Sequence, residues 1–188
     1  MANQIFDVVI IGAGISGMTI GIDMIRLGNG KNFVILEKGH RVGGTWSDNE
    51  YPGCCCDVWS HLYSLSFQPN PNWSREYPTQ PEIQQYLASV AHKYDLECNI
   101  RFNTTVERCS FDPASGFWAT VVQQGNGEPE KTFYSRFVVS AIGQLNQPKY
   151  PNIPGINEFA GKVMHSARWD KSFNFRGKRV AVIGNGKS

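Results

Sequence analysis

A glycine-rich segment near the amino terminus has the spacing of a diphosphate-binding turn. Gly12, Gly14 and Gly17 directly follow a short apolar run, and glycines at this spacing permit a tight turn and close approach of phosphate groups to the backbone. A helix beginning at such a turn offers free N–H groups to the phosphates. Glu37 lies 20 residues after the last glycine, where its carboxylate can accept hydrogen bonds from two ribose hydroxyls and would repel a 2′-phosphate. The pattern predicts binding of FAD or NAD rather than NADP.

A second glycine motif, VGGTW at residues 42–46, lies shortly after Glu37. Glycines beside a dinucleotide site allow the backbone to approach the ligand, and Thr45 and Trp46 can hydrogen-bond to a planar ring and cover it. On its own this segment is also compatible with an ordinary turn carrying a core tryptophan. Its position after Glu37 favours a flavin over NAD.

The end of the chain carries a third glycine pair. Gly184 and Gly186 follow an apolar segment, and we interpret them as the start of a second dinucleotide-binding turn. The alternative is the phosphate loop of an NTPase, since Ala181, Gly186 and the following Lys-Ser match a relaxed form of that motif. Alanine occupies the first position of that pattern, and a Rossmann turn accounts for the same residues, so we favour the dinucleotide turn.

The elements that must position these motifs begin with a βαβ unit. An apolar β-branched run predicts a buried strand over Ile5–Ile11, apolar residues at helical spacing predict a helix over 15–27, and a second strand covers Phe33–Leu36. Residues 39–80 show no sustained period, and a loop of that length is usually functional. Thr79 and Glu82 fit a capping box at the start of an amphipathic helix that continues to Tyr94.

Short strands are predicted in the second half of the chain. The predicted strands are Ile100–Phe102, Val106–Phe111, Phe117–Gln123, Lys131–Tyr134, Phe137–Ile142 and Arg179–Ile183. The first four of these, with a turn at residues 125–127, predict an antiparallel meander. The fifth is predicted to be buried and closed by Gly143. The predicted fold is α/β: a Rossmann-like domain with a parallel sheet and a β-meander over residues 1–156, a linker over 157–176, and the first strand of a second Rossmann domain over 177–188.

Composition and charge exclude several classes of protein. The 188 residues suffice for about one domain, and 41% hydrophobic with 18% charged residues is a globular composition. Residues 1–170 carry 13 basic and 16 acidic side chains, so the basic excess lies in the last 18 residues. This distribution argues against a general nucleic-acid-binding protein. No apolar run reaches the roughly 18 residues of a membrane span.

The cysteines and histidines predict neither disulfides nor a metal site. The five cysteines, at positions 54, 55, 56, 98 and 109, lack C-x-x-C spacing, and the four histidines lack metal-ligand spacing. We interpret the three adjacent cysteines as small buried side chains. Free thiols and an amino terminus without a secretory signal predict a cytoplasmic protein.

A pattern in the linker allows a family to be recognised. The segment FAGKVMHSARWD, residues 159–170, contains His165 and Trp169 at a spacing that alone would indicate packing. It matches in full the F-x-G-x-x-x-H-x-x-x-W-(P/D) fingerprint of type I Baeyer–Villiger monooxygenases, which are class B flavoprotein monooxygenases. The segments GGTWSDNEYPGCCCDVWSHLYS, PEIQQYLASVAHKYDL, RFNTTV and VVSAIGQLNQPKYPNIPG resemble the same family. Essentially the whole chain resembles the amino-terminal third of such an enzyme.

The resemblance implies a set of site residues. The glycines of the first turn, with Glu37, hold the ADP part of FAD; residues between 44 and 63 surround the flavin; Val106 contacts the adenine through its backbone; and the last five residues begin an NADPH site. Asp57 is implied as the catalytic acid that positions an arginine, and His165 couples nicotinamide binding to domain movement. The implied cofactor-binding residues are Gly12, Gly14, Gly17, Glu37, Gly44, Thr45, Trp46, Ser47, Asp48, Cys55, Cys56, Asp57, Tyr63, Val106, Gly143, His165, Gly184, Asn185, Gly186, Lys187 and Ser188.

The implied activity uses FAD, NADPH and O2. One oxygen atom is inserted next to the carbonyl of a ketone, which gives an ester or a lactone. The implied arginine, the remainder of the NADPH domain and the substrate pocket fall after Ser188, so we expect a truncated chain that is inactive alone. The alternatives are a flavin monooxygenase that oxygenates nitrogen or sulfur, and a non-catalytic remnant that binds FAD or nothing.

Overall fold

The computed structural model describes residues 5–28, 32–125, 128–145, 147–184 and 186. Six strands form one sheet in the order β3-β2-β1-β6-β5-β4. The strands are β1 (Ile5–Ile11), β2 (Phe33–Leu36), β3 (Ile100–Arg101), β4 (Thr104–Asp112), β5 (Phe117–Gln124) and β6 (Lys131–Ser140). The helices are α1 (Ile15–Arg26), α2 (Thr45–Asp48) and α3 (Gln80–Lys93), with 3₁₀ turns at Leu96–Asn99, Ile156–Glu158 and Ser166–Arg168.

The sheet combines a parallel and an antiparallel part. β1 pairs in parallel with β2 and with β6, and β2 pairs in parallel with β3. β4, β5 and the first half of β6 pair antiparallel. The predicted βαβ unit and the Rossmann-like α/β fold are confirmed, as is an antiparallel meander of β4, β5 and β6. The prediction that Ile100–Phe102 belongs to this meander was wrong, because β3 pairs in parallel with β2 at the other edge of the sheet.

β6 joins the two parts of the sheet, and here two predictions were wrong. Sequence patterning predicts separate strands over Lys131–Tyr134 and Phe137–Ile142, whereas a single strand runs from Lys131 to Ser140. Its first residues pair with β5 as far as Ser135, and beyond that point only β1 supplies hydrogen bonds. One edge of the second half therefore has no strand beside it among the described residues. Phe137 is accordingly 62% exposed rather than buried.

Each face of the parallel strands packs against a different layer. Side chains alternate along a strand: Ile10 and Ile35 lie in the core shared with α1 and α3, whereas Val9 and Val34 lie in the core shared with Val122 of the meander. Burying a side chain of this size contributes roughly 1.5–3 kcal/mol. The two cores hold the carboxyl ends of β1 and β2 side by side, where the first glycine turn and Glu37 follow.

Helix α3 starts where the sequence predicts but is not capped as predicted. Thr79 is the extended N-cap residue and makes no side-chain capping bond. The carboxylate of Glu82 instead accepts hydrogen bonds from the backbone N–H (2.7 Å) and hydroxyl (3.0 Å) of Ser74. The capping box is therefore absent because its acidic residue ties the helix to the preceding loop.

The long segment over residues 39–80 is largely irregular, as predicted, and contains the single helical turn α2, which the sequence did not predict. The strand predicted over Arg179–Ile183 is not formed. A strand needs a neighbour to satisfy its backbone groups, and within the described residues none lies beside this segment. Val182 is 84% exposed there. No helix in the described part of the chain is both long and apolar enough to cross a membrane.

Candidate functional site

The first glycine turn is built so closely that side chains are excluded from it. A Cβ atom on Gly17 would lie 1.9 Å from the carbonyl oxygen of Gly12, and one on Gly12 would lie 2.7 Å from that of Ala141. Gly12 also has a φ of 101° and donates its N–H to the carbonyl of Leu36 at 2.8 Å. These contacts fix the start of α1 against the ends of β1 and β6.

Glu37 lies at the end of β2 with its carboxylate inside the site. The residue is only 7% exposed. One carboxylate oxygen accepts the N–H of Ala13, within the glycine turn, and the other accepts the N–H of Gly39, both at 2.7 Å. A carboxylate offers about four acceptor positions, so two remain for a ligand. The side chain predicted to bind a ribose therefore also holds the glycine turn in place, a role the sequence did not reveal.

The two glycine motifs meet in space. Gly44 has a φ of 54°, and a Cβ atom on it would lie 3.0 Å from the Cα atom of Gly14. Gly43 donates its N–H to the carbonyl of Ala13 at 2.9 Å. The result is a surface of bare backbone between the amino-terminal end of α1 and the start of α2.

Helix α2 presents Trp46 toward Tyr63. The indole N–H donates to the Tyr63 hydroxyl at 2.8 Å, and the rings meet edge to face with centroids 5.6 Å apart. Burial raises the pKa of Tyr63, so its hydroxyl stays protonated at neutral pH. The side-chain amide of Gln80 donates to the backbone carbonyl of Trp46. Trp46 and Tyr63, predicted as flavin-site residues, are thus brought together and fixed by α3.

The flanks of α2 are held by two residues, Arg41 and Gln84, that no sequence pattern indicated. Arg41 donates to the hydroxyl and to the backbone carbonyl of Ser47, both at 2.8 Å. Gln84 donates to the carbonyl of Val42 at 2.7 Å, directly before the two glycines of the second motif. Thr45 is exposed, and Asp48 donates its N–H to Gly44 within the turn. The sequence carries no local signal for Gln84, because its contact with Val42 spans 42 residues.

The cysteine run alternates between two environments. Cys54 and Cys56 are buried, whereas Cys55 and Asp57 are exposed, so the interpretation of all three cysteines as buried was wrong for Cys55. The segment is extended, and successive side chains point to opposite sides. Desolvation raises the pKa of the Cys54 and Cys56 thiols, which disfavours the reactive thiolate. All five cysteines of the chain are free.

The start of β4 lies against the Glu37 segment. Thr104 donates its N–H to the carbonyl of Glu37, and Asn103 donates its N–H to Gly39, both at 2.9 Å. Val106 follows two residues later, pairs with Val122, and precedes an irregularity in the strand. Its position near the predicted ADP pocket follows from these backbone bonds.

The FAGKVMHSARWD segment, residues 159–170, is held by short-range contacts. The Phe159 ring lies against Gly161, Nδ1 of His165 accepts the N–H of Ala167 at 3.0 Å, and Asp170 pairs with Lys162 at 2.8 Å. These residues do not line the two glycine turns.

Of the remaining predicted site residues, Gly143, Gly184 and Gly186 are exposed. Gly143 and Gly184 have φ values of 72° and 112°. Asn185, Lys187 and Ser188 lie outside the described residues. Within the described part of the chain, no three cysteine, histidine or acidic side chains are grouped so that they could hold a metal ion.

Comparison with known proteins identifies the family. Residues 6–188 match the flavin-binding monooxygenase-like family. The chain is 47% identical over 186 residues to the FAD-binding monooxygenase ktnD of Aspergillus niger, covering 96% of this chain and 31% of that protein. It is 45% identical over 181 residues to a Baeyer–Villiger monooxygenase of Streptomyces coelicolor, covering 96% and 34%.

The fold comparison agrees with the sequence comparison. A solved structure of an oxidized steroid monooxygenase bound to NADP aligns with a TM-score of 0.84 and 40% identity, covering 97% of this chain and 35% of that structure. The chain thus spans about a third of the length of the relatives it matches. The resemblance found in the sequence is confirmed, and the chain belongs to the flavin-binding monooxygenase-like family.

Proposed function

We propose that this chain forms the FAD-binding part of an NADPH-dependent Baeyer–Villiger monooxygenase, which inserts one oxygen atom of O2 next to a ketone carbonyl to give an ester or lactone. The main structural support for FAD binding is the close approach of Gly14 and Gly44 beside the carboxylate of Glu37. The FAD-binding and Baeyer–Villiger relatives support the same function.

The residues present fit the ADP part of FAD. The first N–H groups of α1 have no partners within the helix, and its first turn contains no acidic residue. A diphosphate next to Gly14 would accept these N–H groups at the positive end of the helix dipole. The unused lone pairs of Glu37 would accept the ribose hydroxyls. A carboxylate at this position would repel the 2′-phosphate of NADPH, which assigns NADPH to a different site.

The residues around α2 fit the flavin end. Trp46 and Tyr63 form an aromatic pair whose rings meet edge to face. Ser47 and Asp48 lie on the same helical turn as Trp46. FAD would supply the activation of O2 that the side chains of this chain lack. The protein side chains would orient the ring, shield it from water, and in the case of Asp57 position an arginine of the whole enzyme. Gly184 and Gly186 would begin the NADPH site.

A matched pair of glycine variants tests the FAD site. Gly44→Ala and Gly116→Ala both place alanine at positive φ, 54° and 73°, where an L residue is strained. The Cβ of Gly116→Ala meets nothing within 4 Å, whereas that of Gly44→Ala projects against Gly14. Titration of the chain with FAD, followed by flavin fluorescence, should show at least a roughly tenfold loss of affinity only for Gly44→Ala, about 1.4 kcal/mol. Equal affinities for both variants, or binding of ATP without FAD, would contradict the proposed site.

The oxygenation reaction is tested on the whole protein that contains this chain. NADPH oxidation and product analysis with a cyclic ketone should show a lactone, with O2 consumed in equal amount. A protein that oxygenates only an amine or a thioether would contradict the Baeyer–Villiger assignment. A protein that binds FAD without oxidising NADPH would contradict the enzymatic function altogether.

A further inference from the structure

An acidic residue lies between the proposed flavin site and the linker. Glu50 lies two residues after the end of helix α2, and each of its two carboxylate oxygens pairs with a different cationic side chain. One accepts Arg41 at 2.5 Å, and the other accepts the ammonium group of Lys171 at 2.5 Å. Lys171 comes directly after the final aspartate of the FAGKVMHSARWD segment. A single carboxylate thus touches two parts of the chain that are 130 residues apart.

On the flavin-site side, the connection continues into α2. Arg41, besides pairing with Glu50, donates to both the hydroxyl and the carbonyl of Ser47. Ser47 belongs to the turn that carries Trp46 and contacts the first glycine motif through Gly44. Arg41 therefore links the Glu50 carboxylate to the helical turn of the proposed flavin site.

On the linker side, the connection continues into the fingerprint. Asp170 accepts Lys162 at 2.8 Å and the N–H and hydroxyl groups of Ser172. These bonds join residues on both sides of Lys171 and so constrain the backbone that carries its ammonium group. Trp169 stacks on Phe175 with ring centroids 5.0 Å apart, which braces the same loop.

We propose that Glu50 is a positioning residue that tethers the linker to the proposed flavin site through Lys171. The assignment of the flavin site rests on the proposed function, whereas the tether itself rests on the ion pairs. The tether is weak enough to open: the side chain of Lys171 is 63% exposed and that of Glu50 is 30% exposed, and ion pairs of this kind contribute little in water.

Limited chymotrypsin digestion of the full chain tests the tether. The linker contains Trp169, Phe173 and Phe175, and mass spectrometry identifies cuts between 169 and 175. Lys171→Gln and Glu50→Gln should each raise the rate of these cuts about two- to fivefold, the range expected from loss of an exposed ion pair. The double variant should be cut no faster than the faster single variant. Lys171→Arg, which retains a cation, should restore the rate of the wild-type chain.

A control variant in the meander distinguishes loss of the tether from general destabilisation of the chain. Arg108→Gln breaks another exposed ion pair, with Glu130, in the meander, and should leave linker cleavage unchanged. Equal cleavage of Lys171→Gln and the wild-type chain would overturn the proposal, as would failure of Lys171→Arg to restore the rate. FAD titration of the same samples reports separately on the proposed function. A chain that binds no FAD but shows the cleavage pattern would retain the tether and lose the function.

Discussion

Replacing Glu37 by glutamine should weaken both the folded chain and its affinity for FAD. The carboxylate is buried and accepts two backbone N–H groups, from Ala13 and Gly39, at 2.7 Å each. Glutamine is nearly isosteric but has only one acceptor oxygen. Its NH2 group must face one of the two N–H donors, which leaves that donor without a partner.

The magnitude follows from the bonds lost. A hydrogen bond to a charged group contributes about 1.5–3 kcal/mol, and a buried donor left unsatisfied costs about 1–3 kcal/mol. Relief from burying a charge offsets part of this loss. We expect the free energy of unfolding of Glu37→Gln to fall by about 2–3 kcal/mol, which for a chain of this length lowers Tm by about 4–12 °C.

Urea unfolding without FAD, followed by tryptophan fluorescence, measures the effect. FAD must be absent because ligand binding raises apparent stability by mass action. Glu107→Gln makes the same chemical change at an exposed position of β4 and should alter stability by less than about 0.5 kcal/mol. If the two variants unfold at the same urea concentration, the bonds from Glu37 to the glycine turn do not stabilise the fold. In a separate FAD titration, Glu37→Gln should bind FAD more weakly than the wild-type chain, because the proposed ribose contact loses its charged acceptor.

Three further changes have defined outcomes. Gly17→Ala should lower the free energy of unfolding by about 3 kcal/mol or more, because its Cβ would overlap a carbonyl oxygen at 1.9 Å; Gly14→Ala, whose Cβ meets only an ordinary contact at 3.6 Å, should keep near-normal urea stability and lose FAD affinity. Tyr63→Phe removes the acceptor of the 2.8 Å indole bond and should cost about 1 kcal/mol in the same assay. Hydrogen bonds from Lys171 and Arg41 lower the pKa of Glu50 from its ordinary value. Its carboxylate therefore stabilises the folded state above the ordinary glutamate pKa, and the calorimetric Tm difference between Glu50→Gln and the wild-type chain should shrink as the pH falls through the lowered pKa.

The first third of the fold was predictable because several local signals agree there. The apolar run of β1, the glycine spacing and the helical period of α1 all indicate the same βαβ unit, and Glu37 marks the end of β2. The positions of Gly12 and Glu37 in the site follow directly from that unit. Sequence alone was sufficient here because every element is positioned by its neighbour in the chain.

Elements that depend on distant partners were predicted less well. Ser135 and Arg136 are polar and indicated a break, yet Ser135 is fully buried in the middle of β6, because that strand passes from β5 to β1. The apolar run at 180–183 indicated a strand over Arg179–Ile183, which lacks a neighbour within the described residues. The pairing of Glu82 with Ser74 likewise depends on a loop whose path has no periodic signal.

The contact between the glycine motifs explains why the second motif needs glycine at position 44. Gly44 has a positive φ, at which an L residue is strained, and also faces the bare backbone of Gly14, so an added methyl group meets two independent obstacles. Only the first obstacle could be inferred from a local turn; the second exists because Glu37 and Gly43 both bond to Ala13 and draw the two loops together. A variant at position 44 therefore tests the packing of two turns that are 30 residues apart, and Gly44→Ala should lower the free energy of unfolding by more than Gly116→Ala, whose Cβ meets nothing within 4 Å.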